Sequence, residues 1–437
     1  MLSGSFSWSS ASGKSSRNIS PSHRNPINSM NICLVSLEWP PHGCGIGTYM
    51  YNLVRGLSTQ GHNVTVITHD REPVQVRRVK IMPVPLPDTK RTLWSKVQKW
   101  RIEPYHTWSL MAYKRFQELS QNEEFDIIET ADFGAWGRHF VGQSGIPIVV
   151  RCHSPTHVVW SANQMSNGSW KMPLWLNFQD KYEREQTFRA DGIISPSYAL
   201  ANHLSLSWVI PRSRFAILPN PIDAELFRAS ENNKEVKNEI LYVGRLEYNK
   251  GVFDLAESVR SLLKKYPDIH IRFIGMDVKS PQQLSKYGNK ASEVILSLIP
   301  REYHSRVIFT SHVPVTKVVS FQQKAMCAVM PTRGFESFSY TVLEPMSCGC
   351  PVVATHCGGP TEIITDGVDG LLVPPDDTVA LTEALERLIK DQPFRDKLAS
   401  QARRTVKQRF AIPIVVPKIV QWYEHIIQNY KRCSGIV

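Results

Sequence analysis

Several things are missing from this 437-residue chain. No stretch approaches the roughly 18 uninterrupted apolar residues that a membrane-spanning helix needs. No Cys-x-x-Cys pair occurs among the eight cysteines, which are scattered from Cys33 to Cys433. A disulfide framework or zinc ribbon is therefore not supported, and the cysteines read as small apolar filler in a reducing cytoplasm. Nothing resembles a helix-turn-helix, a zinc finger or an aromatic RNA-stacking motif, so nucleic acid is not an expected partner. Residues 1–30 lack both acidic residues and a signal-peptide core, and they contain eleven serines. They are expected to form a disordered tail, and Met30, directly before the first strand, offers an alternative translation start.

What remains is ordinary in bulk and uneven in detail. Apolar content of 42% and charged content of 21% are those of a globular protein, and the length argues for two domains. The net charge of +12 is concentrated. Residues 77–115 hold ten Lys/Arg against Asp88 and Glu103, a patch suited to phosphate-bearing or anionic-lipid partners.

From Asn31 onward, short β-branched runs alternate with helical stretches, as parallel sheets with crossover helices require. Strands are expected at Ile32–Ser36, Val64–Thr68, Asp126–Thr130, Ile146–His153, Gly192–Ser197 and Arg214–Pro219. A second series covers Glu239–Gly244, Ile269–Gly275, Val307–Ser311, Ala328–Pro331, Pro351–Ala354 and Gly370–Val373. Between the two series, residues 228–238 lack a periodic apolar face and read as a linker. The fold class is α/β, with doubly wound parallel-sheet domains at 31–227 and 239–410 facing across a cleft. Ligands of such sheets bind outside the carboxyl ends of the strands. The last segment, 411–437, has apolar residues at helical spacing and is long enough either to cross back to the first domain or to stay on the second.

Four places have residue types suited to chemistry. The loop WPPHGCGIGTY carries Gly43, Gly45 and Gly47 between a strand and a helix expected at Thr48–Gln60. Glycines let backbone approach a ligand, and the helix start offers free N–H groups, although glycine turns after strands are common. His153 stands at the end of IPIVVRC, where a histidine can hydrogen-bond a hydroxyl, though a histidine in such a place is more often structural. In GRLEYNKG, Gly244 precedes Arg245 and Lys250, two cations at a strand-to-helix turn that suit a diphosphate; a solvated charged turn is the alternative. In FESFSYTVLEPMSCG, Glu336 falls in a loop, and Glu344 falls in the second turn of a helix expected to start near Tyr340 and end by Gly349. A carboxylate suits acceptance from vicinal hydroxyls, and the N–H groups of Phe338, Ser339, Tyr340 and Thr341 suit hydroxyls or phosphate oxygens. Charge balance for the helix dipole would also account for Glu344.

These pieces, in this order and with the tail CGCPVVATHCGGPTEI, resemble the retaining glycosyltransferases of the GT-B fold, family four or group 1 type. The resemblance spans Asn31–Asp377. It implies two Rossmann-like domains and transfer of a hexose from a nucleotide-diphosphate sugar to a glycan or lipid-linked acceptor, as in polysaccharide or cell-envelope synthesis. By position it makes Arg245 and Lys250 the diphosphate-holding pair. Glu344 becomes the ribose ligand, Glu336 and His153 neighbours of the donor sugar, and the Gly43–Gly47 loop a neighbour of donor phosphate or acceptor. Ser339 stands where many relatives have glycine, a substitution also familiar in the family. The fold usually works without metal, and no Asp-x-Asp suggests a metal-bridged diphosphate, so no metal or other cofactor is expected.

The acceptor should dock on the first domain. There residues 90–115 combine Trp94, Trp100, Tyr105, Trp108 and Tyr113 with lysines and arginines, a mixture suited to a membrane surface on the cytoplasmic face. Helices packing on the first sheet are the alternative. Two other functions are open: a phosphorylase or epimerase on the same fold, and a non-catalytic glycan-binding relative. The presence of Arg245, Lys250, Glu336 and Glu344 disfavours the second of these.

Overall fold

The computed structural model describes residues 29–40, 44–70, 72–86, 103–164, 174–230, 236–278 and 288–435. The serine-rich segment 1–28 lies outside them, as do Gly43 and residues 90–102. The chain builds two parallel sheets. The first contains β1 (Asn31–Val35), β2 (Asn63–Thr68), β3 (Val79–Pro83), β4 (Ile127–Ala131), β5 (Ile148–Arg151), β6 (Gly192–Ser195) and β7 (Phe215–Ile217). Its spatial order is β3-β2-β1-β4-β5-β6-β7. The second contains β8 (Lys237–Val243), β9 (His270–Ile274), β10 (Val307–Thr310), β11 (Ala325–Met330), β12 (Val352–Thr355) and β13 (Leu371–Val373). Its order, β10-β9-β8-β11-β12-β13, repeats the same winding. Each sheet reverses direction beside its first strand, and the crevice at that reversal is where such folds take ligands.

The central strands are buried on both faces and read as near-continuous apolar runs, as covered parallel sheets require. Strand β3 has no counterpart among the sequence expectations. It lies at the sheet edge, half-exposed, preceded by Arg77 and Arg78 and closed by a proline, so no periodic apolar signal marks it.

The last helix, Ile412–Ser434, belongs to the first half. Val415, Val416, Ile419, Val420, Tyr423 and Ile426 are buried in the same core as β1, β2 and β4. The helix packs on the helix Gly45–Thr59, where a Cβ on Gly56 would stand 2.5 Å from Val416 Cγ2. The two crossings between halves lie side by side. Ile222 N–H donates to Phe410 O at 2.9 Å, and Ile412 N–H donates to Ile222 O at 3.0 Å.

Trp108 and Tyr113 are core rather than membrane-facing, while Tyr105 is half-buried against the same core. Trp108 is fully buried with its indole N–H on Val84 O at 2.7 Å, and Tyr113 is buried with its hydroxyl on Gln143 O at 2.9 Å. The helix Glu103–Leu119 uses Trp108 and Tyr113 to cover the first sheet, which removes those two rings from an interfacial role. No helix among the described residues is long and apolar enough to cross a membrane.

Candidate active site

The loops after β1, β5, β8 and β11 meet around two adjoining cavities between the halves. The larger, about 410 Å³, is lined by His153, Arg245, Lys250, Glu336, Phe338 and Gly45, among others. The smaller, about 270 Å³, is lined by Gly244, Ser339, Tyr340, Thr341 and Glu344, and shares Lys250, Glu336, Phe338 and Gly45 with the first. Of the donor- and phosphate-site residues expected from the sequence and lying among the described residues, all but Gly47 line this space; Gly43 lies outside the described residues. Gly47 is buried inside the helix Gly45–Thr59, which begins three residues earlier than its sequence suggests. Glu38 explains the early start: its Oε2 accepts from Cys44 N–H at 2.8 Å and Gly47 N–H at 3.2 Å, satisfying donors that a helix end leaves free.

Lys250 ends a short turn, Tyr248–Lys250, closed by Gly251 at φ 67. A side chain at Gly251 would put its Cβ 1.8 Å from Pro331 O, so glycine is required there to bring the lysine turn against the end of β11. Arg333 ties the two together. Its N–H donates to Asn249 O at 2.9 Å, while its guanidinium pairs with Asp254 and lies 4.4 Å over the Tyr248 ring. Lys250 Nζ then reaches Glu336 Oε2 at 2.8 Å. Burial acts to lower the lysine's pKa, but Glu336 outweighs it and holds the ammonium above its ordinary value. Arg245 pairs with Glu247 at 3.0 Å and is half-exposed, its cationic face open to the cavity.

The helix Tyr340–Cys348 stops at Gly349 in the left-handed region, which places Glu344 in its second turn facing the smaller cavity. Burial pushes the Glu344 carboxyl up to about 7, against a smaller downward pull from the Gln322 side chain. A carboxyl poised near neutrality accepts hydroxyl hydrogen bonds once ionised.

His153 is 8% exposed and lines the larger cavity, with no hydrogen-bond partner on Nε2. Burial and the Arg151 charge push it down to about 3, so at neutral pH it is an uncharged imidazole. Its position is fixed from behind. Asp132 Oδ1 accepts its backbone N–H at 2.9 Å, and the Tyr49 ring meets it edge-on at 5.1 Å. Beneath lies a layer that the sequence did not reveal. Glu129, fully buried, accepts from Tyr49 Oη at 2.7 Å and from Tyr423 Oη at 2.5 Å. Arg151, also fully buried, lies 4.3 Å over the Tyr49 ring and donates to Leu218 O at 2.6 Å. Asp132 is pushed well above the usual carboxylate range by burial and by neighbouring Glu183, which burial itself raises to about 7. The sequence-level signal for this layer is two charged residues, Glu129 and Arg151, inside otherwise apolar strands; Asp132 and Glu183 lie outside strands and carry none.

Two family models cover most of the chain. One, described as Glycosyl transferases group 1, matches residues 223–405, and the other, Glycosyltransferase Family 4, matches residues 43–226. The chain belongs to the family-four, group-1 glycosyltransferases. Members of this family are retaining enzymes that use nucleotide sugars, and the paired sheets are the GT-B fold. Similar proteins include a glycogen synthase of Mycobacterium tuberculosis, 23% identical, covering 90% of this chain and 94% of that protein. Another is the MMP alpha-(1->4)-mannosyltransferase of Mycolicibacterium hassiacum, 24% identical over 92% of this chain and 100% of that one. Among solved structures, a sucrose-phosphate synthase of Thermosynechococcus elongatus superposes with TM-score 0.74 at 19% identity, covering 92% of this chain and 100% of that one. The Anabaena protein HepE in complex with UDP-glucose gives TM-score 0.67 at 16% identity, covering 91% and 100%.

Proposed function

We propose that this glycosyltransferase moves a hexose from a nucleoside-diphosphate donor to a glycan or lipid-linked saccharide. The observation that carries the reading is the meeting of Arg245, Lys250, Glu336 and His153 on one cavity, with Glu344 on the adjoining one. In this reading Arg245 and Lys250 take the diphosphate, and Glu344 accepts from the ribose hydroxyls. The paired Lys250 and Glu336 face the junction between phosphate and sugar. As the sugar–phosphate bond lengthens, negative charge grows on the departing oxygen. A preorganised ammonium and guanidinium stabilise that charge more than they stabilise the intact donor. Neutral His153 offers Nε2 to a sugar or acceptor oxygen without adding positive charge beside a carbon that is itself becoming cationic. Retention follows when the acceptor hydroxyl enters on the face the phosphate leaves, with the departing phosphate taking its proton. The UDP-glucose bound to the structurally similar Anabaena protein favours a uridine or related donor without fixing the sugar.

A screen of nucleotide sugars by thermal shift and donor hydrolysis tests this on wild type, Lys250→Ala and Glu344→Ala. One donor class is expected to raise the wild-type Tm. Loss of Lys250 should slow turnover by about 100- to 1,000-fold, the range seen when a single charge-stabilising donor is removed. Equal donor stabilisation in all three proteins would refute the assigned roles.

A further inference from the structure

The turn Gly358-Gly359-Pro360-Thr361-Glu362 takes no part in the donor chemistry above, yet its geometry is tightly determined. Gly358 has φ 63, and a Cβ there would stand 2.3 Å from Glu336 O; one on Gly359 would stand 2.6 Å from Ser337 O. Gly359 N–H donates to Glu336 O at 2.7 Å. The two glycines therefore let the turn lie directly on the backbone of the loop that carries Glu336. Three residues later, the Glu362 side chain crosses to the other half. Its Oε2 accepts Tyr198 N–H at 2.8 Å, and its Oε1 accepts Ala199 N–H at 2.7 Å. Both donors belong to the first turn of the helix Tyr198–Ser207 in the first half. The loop itself is held from the same side. Ser197 Oγ donates to Ser337 O at 2.8 Å, Ser154 Oγ lies 2.8 Å from Ser337 Oγ, and the Phe335 ring lies 5.2 Å from the His203 ring.

We infer that Glu362 is a positioning residue, an interdomain clasp that holds the cleft closed and fixes the Glu336 loop against Lys250. The inference rests on the reading of Glu336 as a donor-side residue. A carboxylate accepting two N–H groups at a helix start makes charge-assisted hydrogen bonds in a favourable dipole. Opening the cleft gives up both at once, together with the Ser197–Ser337 contact. The clasp therefore couples closure, which excludes water from the donor, to the placement of the residue beside the donor sugar.

Two variants reach the clasp from opposite sides. Glu362→Gln keeps the shape but turns an NH2 toward a backbone N–H. Tyr198→Pro removes one donor at the first helical position, where proline is tolerated, and the extended Ser197 before it accommodates the ring. Each is expected to increase the radius of gyration measured by small-angle X-ray scattering without donor. Each should raise the donor KM about tenfold, the loss expected of one charged hydrogen bond. Each should also raise the fraction of donor hydrolysed rather than transferred. Because both break the same contact, the double variant is expected to be no worse than the single ones. Wild-type dimensions and KM in both single variants would overturn the clasp, as would additive effects in the double variant. Scattering needs no donor, so it separates the two readings. An expanded variant in a protein that ignores nucleotide sugars would sink the donor assignment alone. Sensitivity to Lys250→Ala with indifference to Glu362→Gln would sink the clasp alone.

Discussion

The two walls of the cleft handle charge in opposite ways. On the second half, Lys250 with Glu336 and Arg245 with Glu247 line the cavity, each cation paired with a neighbouring carboxylate. On the first half, Glu129, Arg151, Asp132 and Glu183 are fully buried behind His153; their hydrogen-bond partners are mostly hydroxyls and backbone groups, and Arg151 Nε and Nη2 and Asp132 Oδ2 have none among the described residues. Surface pairs exchange partners at low cost, whereas a buried carboxylate that loses its partners is strongly destabilising. The second half thus presents its paired charges to the cavity, and the first backs one imidazole with a buried layer.

The contrast can be tested by substitutions on each side. The largest effect is expected from Glu129→Ala. It leaves two tyrosine hydroxyls without their buried acceptor and the Arg151 guanidinium without a neighbouring opposite charge, and should lower unfolding free energy by about 3–5 kcal/mol in urea titrations. A change under about 1 kcal/mol would mean that the buried layer is not structural in this sense. An intermediate effect is expected from Glu344→Gln, and its sign depends on pH. The folded-state pKa is raised to about 7, so the protonated carboxyl favours the fold. That contribution is complete below the unfolded value, near 4.5, and is lost as pH rises through about 7. Wild type should therefore lose Tm relative to Glu344→Gln between about pH 5 and about pH 7, with little further change above that, while donor affinity in wild type tightens as pH rises through about 7. Glu183 titrates there too, but it is common to both proteins and cancels from the difference. The smallest effect is expected from Lys265→Ala. Its exposed pair with Glu386 on the second half should leave Tm within about 1 °C of wild type, read by calorimetry.

The sequence reveals the second half's site more fully than the first's. The start of the helix at Tyr340, its end at Gly349 and the cation turn at Arg245–Lys250 all have local signatures. Glycines and charges that act within a few residues of one another leave a readable pattern. Glu129 has none. Its meaning depends on Tyr423, 294 residues away, and a single acid in a β-branched run says nothing about what it will meet. The apolar spacing of 412–430 predicts a helix, but not which core receives it, because both halves offer apolar faces. Gly45 and Gly47 read as a loop until Glu38 is seen to close the helix end over them. The aromatic residues Trp108 and Tyr113 read equally well as core or interface, and only burial decides between these.

The placement of the final helix also bears on the order of assembly in the cell. A ribosome releases β1 to β7 long before residues 412–434, yet Val415, Val416, Ile419, Val420, Tyr423 and Ile426 are part of the core those strands form. Until that helix is synthesised, the nascent core carries an uncovered apolar face, and Glu129 lacks one of its two tyrosines. The second half, with its own apolar clusters, is under no such constraint beyond the short stretch where the chain crosses over. The half that leaves the ribosome first is therefore the one that completes its packing last.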